Sequence, residues 1–144
     1  MPIDEKAGPA LKLAPILEEL DRYELQISGL PGGTYEVNID GESAAKVTGE
    51  ELAKGWNLAR QAGPITKQAE KVLGLVFQKN NLYYTRWRNV QLYLFPEWAR
   101  GSDLETRRDA ELARLDQQIA ELEKEIDATR KPLGHRFEIK PQNP

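Results

Sequence analysis

Apolar and polar residues alternate in short stretches along the first third of the chain. Tyr23, Leu25 and Ile27 are interleaved with Arg22, Glu24, Gln26 and Ser28, and Tyr35, Val37 and Ile39 with Thr34, Glu36 and Asn38. A period of two gives each stretch one apolar face, which predicts strands over 22–28 and 34–39. Between them, Leu30-Pro31-Gly32-Gly33 predicts a type II turn. Proline presets φ at the first central position, and Gly32 supplies the positive φ of the second. Asp40-Gly41, directly after Ile39, is the strongest short-range hairpin signal and predicts a third strand over 42–47. These three strands are expected to form an antiparallel meander. His135, Phe137 and Ile139 alternate with Arg136, Glu138 and Lys140, and would add a fourth strand.

Elsewhere the period changes to that of a helix. Residues 1–9 read as an extended lead-in, and a short helix is expected over 15–20 with Pro15 in its first turn. Thr48-Gly49-Glu50-Glu51 is a capping box, opening a helix that should run to about Leu58. Pro64 marks the next start. From there Ile65, Ala69, Val72, Val76, Tyr83, Trp87, Val90 and Leu94 predict a long helix ending before Pro96. A second capping box, Ser102 to Glu105, opens a helix with Leu112, Leu115, Ile119, Leu122 and Ile126 at strict 3-4 spacing. It should end near Lys131-Pro132. The two long helices make an antiparallel hairpin with arms roughly 40–45 Å long.

The expected fold class is therefore α+β: a small antiparallel meander of three to four strands packed with a long helical hairpin. Residues 1–144 are read as a single domain. It divides into a meander and short helix over 10–62, the hairpin over 63–131, and a C-terminal strand and tail over 132–144.

Composition narrows the chemistry. Of 144 residues, 40% are hydrophobic and 30% charged, with 20 Lys+Arg against 23 Asp+Glu. A formal charge of −3 gives no basic excess, so nucleic acid is not an expected partner. There are no cysteines and one histidine. Thiolate zinc sites, cysteine nucleophiles and multi-histidine metal centres are excluded, and no cofactor or metal is expected. No apolar run approaches the roughly 20 residues of a membrane span, and the N-terminus has no apolar signal core. The chain as written is expected in the cytoplasm; a longer parent protein could be periplasmic or secreted.

Several motifs invite a chemical reading. Gly29-x-x-Gly32-Gly33 lacks the Lys-Ser/Thr of a phosphate loop and precedes a strand, so it reads as a turn. Gly41-Glu42-Ser43 has no histidine near it in sequence. His135 has the chemistry of a general base but the context of a sheet residue. Asp116, Glu121, Glu123, Glu125 and Asp127 alternate with Arg114, Lys124 and Arg130, the pattern of a solvated helix face. The segment from Lys79 to Arg88 is richer. On an α-helix, Asn81, Tyr84, Arg88 and Gln91 share one stripe, and Asn80, Tyr83 and Trp87 the next. Aromatic and arginine side chains together are typical of binding hot spots. The candidate cleft or interface residues are Asn57, Asn80, Tyr84, Trp87 and Arg88, with no catalytic residue among them.

An ordered set of short signatures resembles one family. They are Gly29-Leu30-Pro31-x-Gly33-x-Tyr35, Ile39-Asp40-Gly41, Glu51-Leu52-Ala53-x-Gly55-x-Asn57-Leu58-Ala59, Gln68-Ala69-x-x-Val72, Lys79-Asn80 and Trp87-Arg88-x-x-Gln91. In this order they resemble the region after the catalytic domain in bacterial SGNH/GDSL-type hydrolases of planctomycete-like genomes. The resemblance covers roughly residues 10–95, and the acidic helix to about 140 is also similar. It implies a module of an esterase, with that enzyme's catalytic domain as partner in the parent chain. The family's Gly-Asp-Ser and Asp-x-x-His blocks do not occur here, so no catalytic residue carries over and this chain alone is expected to be inactive. The alternative is an independent interaction module in which the hairpin mediates homo-oligomerisation.

Overall fold

The Asp40-Gly41 turn forms as its residues dictate. Both positions have positive φ, 52° and 85°, as the type I′ hairpin turn requires. It joins β2 (Thr34–Ile39) to β3 (Glu42–Thr48). This computed structural model describes residues 8–11, 13–14, 16–101 and 103–142. They fall into two compact units, one drawn from residues 1–70 and 132–144, the other from 71–131. The class is α+β, with small antiparallel sheets and an antiparallel helical hairpin.

In the first unit the principal sheet has three strands in the order β3-β2-β5, where β5 is Phe137–Pro141. β2 is the centre. Val37 lies opposite Ala45 on one side and Ile139 on the other. The register with β3 shifts after Val37, so Asn38 faces Ser43 and Ala44 is the extra residue of a bulge. The period-two face is buried as expected, with Tyr35, Val37 and Ile39 at 6%, 0% and 2% exposure.

The strand expected over 22–28 takes a different place. Only Glu24–Leu25 is strand (β1), and it pairs with β4 (Trp56–Asn57) in a separate two-stranded sheet. Leu58 N–H donates to Tyr23 C=O and Ile27 N–H to Leu52 C=O, fixing this segment along 52–58. β2 has two edges; its hairpin partner takes one, and the five-residue ladder of β5 takes the other. No edge of β2 is left for a meander neighbour.

The turn before β2 also differs from expectation. Positive φ falls at Gly29 and Gly33, not at Gly32. The loop is fixed by tertiary bonds instead. Tyr35 Oη donates to Pro31 C=O at 2.8 Å, and Gly49 N–H donates to Gly33 C=O at 3.0 Å. A Cβ at Gly49 would lie 3.1 Å from the Pro31 carbonyl oxygen and 3.4 Å from the Tyr35 ring. Gly49→Ala is therefore expected to destabilise the unit by about 1–3 kcal/mol through overpacking, measured by urea unfolding. An unchanged midpoint would mean that the 31–35 loop yields freely.

Helix α3 (Gly49–Lys54) starts at the predicted capping box. Thr48 Oγ1 accepts from Glu51 N–H, and the Glu51 carboxylate accepts from Thr48 N–H at 2.9 Å. It stops short of Leu58 because Gly55 turns the chain at φ 101°, and β4 and a 3₁₀ turn over Leu58–Arg60 follow. Leu52 of α3 is fully buried against Tyr35, Val37 and Val47, with Leu25, Leu30, Trp56 and Ile139 packed around them. Near the start of the chain, α1 (Gly8–Leu11) and α2 (Ile16–Glu19) are single turns. Gly8 is thus helical where the lead-in was expected to be extended. The expected Pro15 first turn and Ser102 cap lie outside the described residues.

Helix α4 (Pro64–Tyr84) begins at the predicted proline and carries the chain from the first unit into the second. Past Tyr84 it widens into a π-helix over Thr85–Gln91 instead of continuing as α to Pro96. A 3₁₀ turn at Glu97–Ala99 leads to α5 (Asp103–Thr129), about 40 Å long. The predicted seam of α5 turns inward: Leu115 and Ile119 are buried, and Leu112, Leu122 and Ile126 are half-buried. Ion pairs run antiparallel along this unit, from Lys71–Glu125 through Lys79–Glu123 to Arg86–Asp116. No helix among the described residues is long and apolar enough to cross a membrane.

Candidate functional site

Asn57 is committed to holding backbone. Its Oδ1 accepts from Tyr23 N–H at 3.2 Å and Ala59 N–H at 3.0 Å, while Nδ2 donates to Asp21 C=O at 3.2 Å. It therefore caps the 3₁₀ turn and ties β4 to the segment before β1. This use of one planar amide explains why a short Asn suits the position. Asn57 belongs to the first unit, whereas Asn80, Tyr84, Trp87 and Arg88 belong to the second.

Those four lie along α4 and its π-helical continuation, all exposed. Tyr84 and Trp87 are 57% and 51% accessible. The Arg88 guanidinium sits 5.9 Å from the Trp87 ring centroid, within cation–π range. None of the four lines either of two hollows on the described surface. The shallow groove nearest them in sequence, about 300 Å³, lies on the α5 side of the helix between Leu82, Gln118, Glu121, Leu122 and Glu125. A smaller hollow of about 170 Å³ in the first unit is bounded by Tyr23, Leu58, Ile65 and Thr66.

The π turn was not legible in the sequence, and it alters the predicted stripes. Each i→i+5 turn shifts the following side chains around the axis, so Arg86 Nη1 reaches Gln91 Oε1, five residues on, at 2.8 Å. The same guanidinium grips Asp116 with both prongs, Nε to one carboxylate oxygen and Nη2 to the other at 2.9 Å. This fork holds the Asp116 carboxyl below the usual aspartate range and keeps Arg86 charged. Of the acidic residues on α5 singled out above, Asp116, Glu123, Glu125 and Asp127 take ion pairs, and Glu121 accepts from Gln117. Among the described residues no three metal-ligating side chains come together.

His135 has one acid partner. Its Nδ1 lies 2.7 Å from Asp40 Oδ2, and Asp40 Oδ1 accepts from Arg136 N–H at 2.8 Å. The residues are 95 positions apart in sequence. An acid on Nδ1 is the orienting half of a catalytic triad. Here, however, it pins the approach to β5 against the β2–β3 turn. Ser43, the nearby serine of the Gly41-Glu42-Ser43 motif, donates its hydroxyl to Glu36 at 2.9 Å.

Asp40 is held below the usual aspartate range, first by the His135 hydrogen bond and then by the Arg136 N–H. A carboxyl with a depressed folded-state pKa adds stability above its unfolded value and loses it as pH falls through the folded one. Glu51 and Asp116 act in the same direction. Stability should therefore drop as pH falls below the ordinary Asp value of 3.8. Asp40→Asn, which suits the turn's positive φ, should flatten part of this acid limb in thermal melts between pH 2 and 5. A limb identical to the parent's would contradict the assignment.

Fold and site thus define an α+β module with a histidine–aspartate clamp on its sheet and an aromatic, arginine-bearing helix. The chain matches no family model and no curated protein. Among solved structures it is similar to BT4096, a gut microbial diltiazem-metabolizing enzyme. The TM-score is 0.72 at 21% sequence identity, and the match covers 94% of this chain. It spans only 37% of that enzyme's chain. At this identity the likeness establishes the fold alone.

Proposed function

We propose that this chain is a non-catalytic accessory module of a larger hydrolase of the SGNH/GDSL type, supporting the catalytic domain or shaping its substrate cleft. The observation that carries the reading is the structural match. Nearly the whole of this fold corresponds to little more than a third of an enzyme's chain. The ordered signatures from Gly29 to Gln91, which resemble the region after an SGNH-type catalytic domain, are the reason for taking the parent to be an esterase. Ser43 spends its hydroxyl on Glu36, which supports a chain without a hydrolytic centre of its own. Its partner is then the catalytic domain of the parent chain. The absence of cysteine suits a parent in the cytoplasm or one that is exported.

An antibody raised against this chain tests the parentage in source cells. The expected result is a band well above 16.3 kDa that a fluorophosphonate serine probe also labels. A band at 16.3 kDa that the probe leaves unlabelled would overturn the reading.

A second reading, an independent interaction module, has one specific observation in its favour. Leu73, Phe77, Tyr84 and Trp87 are 38%, 61%, 57% and 51% exposed along a single helix.

A further inference from the structure

Along α4 and its π-helical continuation, Lys71, Lys79 and Arg86 form ion pairs with α5, and Leu75 is buried. Residues 71, 75, 79, 82 and 86 share one face at helical spacing. The opposite face holds Leu73, Phe77, Asn80 and Tyr84, spaced 4-3-4. From Val72 to Thr85 the only charged residue is Lys79, which pairs with Glu123. The outward face is therefore uncharged and aromatic for about 20 Å.

Its residues are placed symmetrically. Phe77 and Tyr84 are equidistant from the Asn80-Asn81 centre, and so are Leu73 and Arg88. The π turn matters here, because four residues come close to one turn of the wider helix and bring Arg88 into line after Tyr84. One turn before Leu73 stands exposed Glu70. Neither Glu70 nor Arg88 takes part in an ion pair among the described residues.

We propose that two copies of this chain pair antiparallel through this face of α4. A two-fold interface brings the same patch of each copy together, so residue i meets j and j meets i. With the Asn80-Asn81 centre at the axis, Phe77 of each copy packs on Tyr84 of the other. Arg88 covers Leu73 and reaches Glu70, giving one ion pair at each end. The central asparagines fix the register, since a slip would leave their amides against apolar side chains. The face and its flanks Val76 and Tyr83 offer roughly 500 Å² per copy, or roughly 1,000 Å² for the pair, about the lower limit of a specific interface. A dimer of modest affinity follows for this chain.

Sedimentation equilibrium on the full 144-residue chain tests this. The expected result is a dimer at about 100 µM that dissociates at about 1 µM. Phe77→Glu should weaken it at least about tenfold with the helical circular dichroism unchanged. Arg88→Glu should weaken it too, and adding Glu70→Arg should restore it by exchanging the charges. This charge swap decides the matter if Phe77→Glu fails to fold. A chain that stays monomeric at 100 µM would overturn the proposal, as would a dimer indifferent to Phe77→Glu and to the charge swap.

Discussion

Leu52→Ala is expected to cost about 2–5 kcal/mol of stability in the first unit. Leu52 is 0% exposed and sits where α3 meets the sheet, in contact with Tyr35, Val37 and Val47. The loss has two parts, the transfer energy of the deleted carbons and the cavity left among residues held by a three-stranded ladder. Because β2 is pinned on both edges, it cannot collapse into that space. Leu52→Met, which nearly conserves volume, should cost less than about 1.5 kcal/mol. Urea denaturation followed by tryptophan fluorescence reads both variants, since Trp56 packs against this cluster. Equal losses for Ala and Met would show that volume at this site does not matter, contrary to the packing described.

Leu115→Ala is expected to cost about 2–4 kcal/mol in the helical unit. Leu115 is 1% exposed and lies near the middle of α5, on its seam and four residues before Ile119. The ion pairs beside it are exposed at one or both partners, so the hairpin's stability rests on the seam. Lost ellipticity at 222 nm on heating is the readout. A change below about 1 kcal/mol would mean that the seam is not tightly packed.

What could be read from the sequence was local. The Asp40-Gly41 turn, the Thr48–Glu51 capping box, the Pro64 start and the seam of α5 each depend on residues a few positions apart, and each forms. Where the structure departs from the sequence pattern, the choice is non-local. The stretch 22–28 has the alternation of a strand, but pattern alone does not select a partner, and β5 takes the edge of β2 on which the meander depended. The turn at 30–33 is shaped by Tyr35 and Gly49, beyond any four-residue rule. The π turn after Tyr84 has no sequence signature of its own.

The candidate site divides in the same way. Tyr84 and Arg88 fall on one predicted stripe and Asn80 and Trp87 on the next, and all four are exposed along α4 and its π-helical continuation. Asn57 entered with them, although its amide is spent on the backbone of 21–23 and 59, contacts as far as 36 positions away. The alternation around His135 predicts a sheet residue, and it lies two positions before β5. Its partner is Asp40, and the hairpin turn and the β2–β5 pairing together bring the two to 2.7 Å. An aspartate in a turn carries a ready local explanation, which hid its second role.

Hydrolysis of short acyl esters by the purified chain tests the central claim most directly. If the chain is an accessory module without a hydrolytic centre, release of p-nitrophenol from its acetate ester will match buffer and the His135→Ala variant. Clear turnover by the parent chain that His135→Ala abolishes would contradict the account, and would make the Asp40–His135 pair a working base.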